Sequence, residues 1–138
     1  MELLSNEIVK TGLRKAWQDS NPGPTGGHEE GGFVVRGDDG ARIVVRWPRG
    51  SGNSIIVADP PGGRIKEGQI VATFHTHPNT SSDYVQEPSE TDRRAVRDDP
   101  DLKGPDYLGE IVISAEWLYL IKPSGTVEVV GRTADIQQ

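Results

Sequence analysis

The chain has 138 residues, with 15 basic against 21 acidic side chains for a formal net charge of −6, and no cysteine. That length is expected to form one domain with a full hydrophobic core, and the missing cysteines exclude a disulfide framework, a thiolate zinc cluster and a cysteine nucleophile. The acidic balance, with no basic stripe, argues against nucleic acid or an anionic membrane as partner.

The opening MELLSNEIVKTG lacks the charged start and long apolar stretch of a secretory signal. No run approaches the roughly 20 apolar residues of a transmembrane helix. The expected location is therefore the cytoplasm, or outside the cell for an effector exported without a signal peptide. SNEIVKTGLRKAWQDS, residues 5–20, reads as a helix with Ser5 as N-cap. Its apolar face would hold Ile8, Leu13 and Trp17, with Val9 and Ala16 beside them. NPGPTGG, residues 21–27, ends it in a Pro/Gly loop. From Gly31 the texture changes to short β-branched runs: GGFVVRG and ARIVVRW flank DDG, a hairpin signal, and NSIIVAD and GQIVATFHTH follow. Residues 79–88 form a polar loop, and SETDRRAVRDD a short helix with Ser89 as N-cap and Asp92 at the capping-box position. YLGEIVIS, WLYLIKP and TVEVVGR complete the strands, the last two joined at PSG. Helix, strands, helix, strands points to a single α+β domain; the order of strands in the sheet is not legible from this pattern.

The stretch ATFHTHPNT carries two of the three histidines, His75 and His77. Strand alternation puts them on one face, about 7 Å apart along the chain, with Pro78 ending the strand at a sheet rim. H-x-H alone fits a solvated strand end as well as a metal site. PSETD then supplies Ser89 and Asp92 one helical turn apart. An Asp in a first turn can face the end of the preceding strand, which would give two nitrogens, one carboxylate and an open fourth position, as in catalytic zinc sites. Taken alone, S-x-x-D is better read as a capping box, and both readings can hold in one turn. HEEGGFVV places a carboxylate at the start of the first strand, where a base for water activation would be needed. His28 beside it is read as a surface residue.

Together, EEGGF, HTHP and PSETD resemble the signature of the JAMM, or MPN-plus (JAB-domain), zinc metalloproteases, in a bacterial-type form: E-x-x-G, H-[ST]-H-P, S-x-x-D. The resemblance spans about residues 29–121 and implies a mixed, curved β-sheet flanked by helices, an architecture similar to that of cytidine deaminases. It implies that His75, His77 and Asp92 ligate Zn2+, with water as fourth ligand. It implies that Glu29 is the general base, and that Ser89 hydrogen-bonds the oxyanion of the tetrahedral intermediate. The implied activity is hydrolysis of an amide or isopeptide bond at the tail of a ubiquitin-like or sulfur-carrier protein, or of a peptide. Glu30 stands beside Glu29 as the alternative base. NTSSDYVQEP, between Pro78 and Ser89, is longer than the family usually carries and leaves specificity open, as the oligomeric state is left open too.

Two alternatives share the fold: a non-catalytic scaffold, whose relatives typically lose ligands that this chain retains, and a JAB-type toxin or effector domain. Other H-x-H enzymes fall on counting. This chain is too short for an eight-fold βα barrel, and no histidine follows His77 for a cupin or metallo-β-lactamase site. An extended substrate tail added to a sheet edge beside the metal is the expected binding mode, with the loops 21–27 and 79–88 folding over it.

Overall fold

The computed structural model describes residues 1–52, 63–99, 104 and 106–137; the predicted strand NSIIVAD lies outside them. Two α-helices, α1 (Glu7–Asp19) and α2 (Glu90–Asp98), accompany strands β1 (Gly31–Arg36), β2 (Arg42–Arg46), β3 (Arg64–Ile65), β4 (Gly68–Thr76), β5 (Glu110–Ile113), β6 (Trp117–Ile121) and β7 (Val127–Arg132). The strands form one sheet in the order β2-β1-β4-β5-β6-β7, with β3 paired to the start of β4. The β4–β5 pair is parallel and the remaining pairs are antiparallel, so the α+β class with a mixed sheet expected from the sequence is the one observed. The parallel pair needs a crossover. Loop 79–88 and α2 begin that crossover, and this is what brings α2 beside the end of β4.

The first helix begins later than the sequence suggested. Residues 2–5 form a 3-10 turn, and Asn6, not Ser5, caps α1 by accepting from the N–H groups of Ile8 (3.0 Å) and Val9 (3.1 Å). Its buried face is Val9, Leu13, Ala16 and Trp17, whereas Ile8 is 55% exposed. The spacing 9, 13, 16, 17 is a single helical stripe, and Ile8 falls outside it. A glycine inside this helix costs about 1 kcal/mol relative to alanine, and packing explains it: a Cβ on Gly12 would lie 2.6 Å from a methyl of Val44 on β2.

Both faces of the sheet are covered. Val34, Ala72, Phe74, Ile111, Ile113 and Leu118 pack with the stripe of α1. Phe33, Val35, Ile70, Val112 and Ile121 pack on the other side with Val96 of α2, Trp47 and Tyr107. Central β4 is accordingly buried over almost its whole length, as expected for a strand sandwiched between layers. Since Phe74 faces α1, alternation turns Thr73 and His75 toward α2. Among the described residues, no helix is long and apolar enough to cross a membrane.

Candidate metal centre

Two features of backbone geometry assemble the site. At the end of β4, His75 lies between Gly31 of β1 and Val112 of β5, and His77 follows with its N–H donating to the carbonyl of Ile113 (2.8 Å). Both rings point the same way, as alternation requires; their Nε2 atoms are 3.1 Å apart and their centroids 5.0 Å. Both side chains are buried. The second feature is the start of α2. Ser89 Oγ accepts from the N–H of Asp92 (3.1 Å), and Ser89 N–H donates to Asp92 Oδ2 (2.9 Å), so the capping box is formed in full. The same carboxylate faces the histidines, with Oδ1 3.5 Å from His75 Nε2 and Oδ2 3.3 Å from His77 Nε2. Cap and putting a carboxylate against the imidazoles are thus compatible in one turn. His75, His77 and Asp92 form a group able to hold a metal ion, with donor atoms all within 4.8 Å of one another.

Each imidazole is also held from behind. His75 Nδ1 lies 3.0 Å from Glu110 Oε2 on β5, and His77 Nδ1 lies 3.0 Å from the carbonyl oxygen of Gln86 in the 79–88 loop. With each Nδ1 placed against an acceptor, both Nε2 atoms are left facing Asp92, where they can donate to the carboxylate when protonated or bind a metal ion once the proton has left. Sequence reasoning missed Glu110 and Gln86. The signal for Glu110 was present in YLGEIVIS, an acid inside an apolar run that is buried throughout as a strand. A backbone carbonyl such as that of Gln86 carries no sequence signal at all.

The two adjacent glutamates separate cleanly. Glu29 exchanges backbone hydrogen bonds with residues 50 and 51, and its side chain shares a cavity of about 230 Å³ with His77, Ser89 and Asp92. Burial raises its pKa; the nearby His75 and His77 lower it by less, and Asp92 and Glu110 push it further up. Glu30 turns the other way, to Arg46 (2.5 Å) and His28 (2.6 Å). Its N–H donates to Thr76 Oγ1 (3.0 Å). His28 is therefore not the surface residue expected: its side chain is only 13% exposed and is spent on Glu30. Gly31 and Gly32 let this strand entry lie so close. A Cβ on Gly31 would meet the Phe74 carbonyl at 2.4 Å, and one on Gly32 the Val45 carbonyl at 2.5 Å.

The charge state of the metal-free site follows from the same contacts. Burial works to lower the pKa of His75, but the charge of Glu110 and the hydrogen bond to Asp92 outweigh it and raise it well above the normal value. For Asp92, burial works upward, and the hydrogen bonds from His75 and His77 overcome it and hold the carboxyl far below the usual carboxylate range.

On its open side the cavity is bounded by Asn79, Tyr84 and Val85 of the 79–88 loop. Asn79 ties this loop to its surroundings: Oδ1 accepts from Gly27 N–H (2.7 Å), and Nδ2 donates to the carbonyls of Gly27 (3.2 Å) and Gly52 (2.8 Å). Thr80 N–H donates to Gly23 O (2.9 Å) and Gly23 N–H to Pro78 O (3.1 Å). The two loops expected to fold over a substrate are thus joined to each other beside the site. A larger cleft of about 790 Å³ lies at the far end of β1, around Leu3, Arg36, Arg42 and Tyr107. It contains none of the residues above, and its Arg36 is already committed to Asp106 (2.5 Å), so size does not make it the better candidate.

Comparison of the chain with family models, curated proteins and solved structures finds no match.

Proposed function

We propose that the chain is a zinc-dependent amide hydrolase of the JAMM type, acting on the tail of a ubiquitin-like or sulfur-carrier protein or on a peptide. The observation that carries this reading is the position of Glu29: a buried glutamate in the same cavity as Asp92 and His77, yet outside the three-residue donor group. A site built only to hold an ion has no use for a carboxylate left over in its wall. The donor set fits zinc. Two imidazole nitrogens and one carboxylate, with no thiolate, match the three-ligand pattern of open catalytic zinc sites, and each histidine has the Nδ1 acceptor that metal-bound imidazoles require.

Zinc held there would supply Lewis acidity and a water whose pKa is lowered toward neutrality. Glu29 is the group that this chain offers to take the proton from water and to return it to the departing amine nitrogen, as the C–O bond forms and the C–N bond breaks. Its raised pKa suits both halves of that task, because a base of intermediate strength also gives its proton back. Ser89 Oγ already accepts from Asp92 N–H, so its own O–H is left to donate to the carbonyl oxygen as negative charge builds there.

Elemental analysis of the purified chain, followed by incubation with a panel of ubiquitin-like fusions read by mass spectrometry, tests the reading. About one zinc per chain, lost to a chelator together with cleavage, is expected. Glu29→Gln should keep the zinc and lose hydrolysis by about 10²- to 10⁴-fold. Iron in place of zinc, or wild-type rates in Glu29→Gln, would overturn it.

A further inference from the structure

We infer that Glu110 is a positioning residue of the metal centre, holding the His75 ring through Nδ1 so that Nε2 is presented to the ion; this rests on the metal-centre reading above. The two rings are held in different ways. His77 leans on a neutral carbonyl, that of Gln86, which belongs to a loop. His75 leans on a full carboxylate, which belongs to β5. Glu110 is 6% exposed, and a carboxylate there would be costly without a partner; among the described residues it pairs with His75.

The scaffold around Glu110 is rigid where it needs to be. Its register partner on β4 is Thr73, two residues before His75 on the same face. Thr73 in turn has its hydroxyl 2.7 Å from the buried Tyr107 hydroxyl and its N–H on the carbonyl of Gly109 (3.1 Å). Carboxylate and imidazole are therefore fixed to adjacent parallel strands rather than to mobile side-chain tips. A carboxylate behind a ligating histidine does two things: it selects the tautomer with the proton on Nδ1, and it makes Nε2 a stronger donor. A group kept only for packing would do neither. Glu110 lines no part of the cavity that holds Glu29, so its effect has to pass through His75.

Zinc affinity, measured by chelator competition on the full chain, and the visible absorption of the cobalt-loaded protein test this. Glu110→Ala should weaken zinc by about 10- to 100-fold and shift the cobalt bands. Glu110→Gln, which keeps an acceptor of the same shape but no charge, should recover part of the affinity with bands between the two. Should the alanine variant fail to fold, the glutamine variant decides alone: weaker binding and shifted bands support the role. Zinc affinity within about twofold of wild type, with unmoved bands, would overturn it. A wild-type chain that takes neither zinc nor cobalt would overturn the metal reading itself, and the role of Glu110 with it.

Discussion

Asp92→Asn separates the two roles that meet in one side chain. Asparagine keeps an oxygen that can accept from Ser89 N–H, the 2.9 Å bond that closes the capping box, so most of the cap's contribution of about 1 kcal/mol should survive. What it loses is the anionic oxygen pair 3.3 and 3.5 Å from the two imidazoles, hence, on the proposed reading, one of the three metal ligands. In the wild type, zinc at about 100 times its Kd should stabilise the fold by about 2.7 kcal/mol. For a domain of this size 1 kcal/mol moves Tm by roughly 3–5 °C, which places the zinc-induced rise near roughly 8–13 °C. Thermal unfolding of Asp92→Asn at the same zinc concentration should show almost none of that rise. Ser89→Ala should do the reverse: a metal-free Tm lower by roughly 3–5 °C for the lost cap, with the zinc-induced rise largely kept. A zinc-induced rise in Asp92→Asn equal to that of wild type would show that this carboxylate is a cap and not a ligand.

Zinc binding should depend on pH through His75. Its pKa is raised in the metal-free site, so zinc must displace a proton that an ordinary histidine would already have lost. Affinity should therefore climb with pH and level off only above the raised value, and calorimetry in buffers of different ionisation enthalpy should register proton release. Affinity that is flat from about pH 6 to about pH 9 would refute this. The linkage signs agree: a histidine raised on folding contributes stability below its unfolded pKa and loses it as pH rises through the folded one. Asp92, lowered on folding, contributes above its unfolded pKa and loses that only as pH falls through the folded one. The gain from zinc should thus be largest on the alkaline side. Away from the site, Gly12→Ala should lower stability by about 1 kcal/mol in urea unfolding, although helix propensity alone favours alanine by a similar amount; the 2.6 Å approach to Val44 outweighs it. A more stable Gly12→Ala would refute that packing argument.

What could be read in the sequence was whatever depends on local periodicity. The strands from Gly31 to Arg36, from Arg42 to Arg46 and from Gly68 to Thr76 lie within the runs that predicted them, because β-branched alternation and turn residues act over a few positions. The helix cap at Ser89 was legible for the same reason. Asn6 displaced Ser5 because the preceding residues close a 3-10 turn, and either residue can cap. The spacing to Gly32 favoured Glu29 over Glu30 in the sequence, but which of the two carboxylates faces the cavity of His77 and Asp92 is a tertiary matter. That choice depends on Arg46 and His28, which draw Glu30 away. Glu110 and the parallel β4–β5 pair were hidden because they depend on a crossover more than thirty residues long, in which the partner strand's identity is a tertiary fact.

The long loop between Pro78 and Ser89 divides by its hydrogen bonds into parts with different duties. Its first residue, Asn79, is tied to Gly27 and Gly52. Near its end, Gln86 donates through Nε2 to the carbonyl of Asn79 (2.5 Å), while its own carbonyl supports His77. The ends are thus closed on each other, and one of them supports a histidine of the candidate metal centre. In the middle of the loop Val85 is 55% exposed and, with Asp83 and Tyr84, borders the cavity. On the proposed reading, substrate preference resides in Tyr84 and Val85. Asn79 and Gln86 instead keep the loop closed so that a carbonyl stays behind His77. Length in this loop therefore does not by itself mean a lid: the extra residues first hold a carbonyl behind His77, and on the proposed reading what remains for recognition is the short tip of Asp83, Tyr84 and Val85.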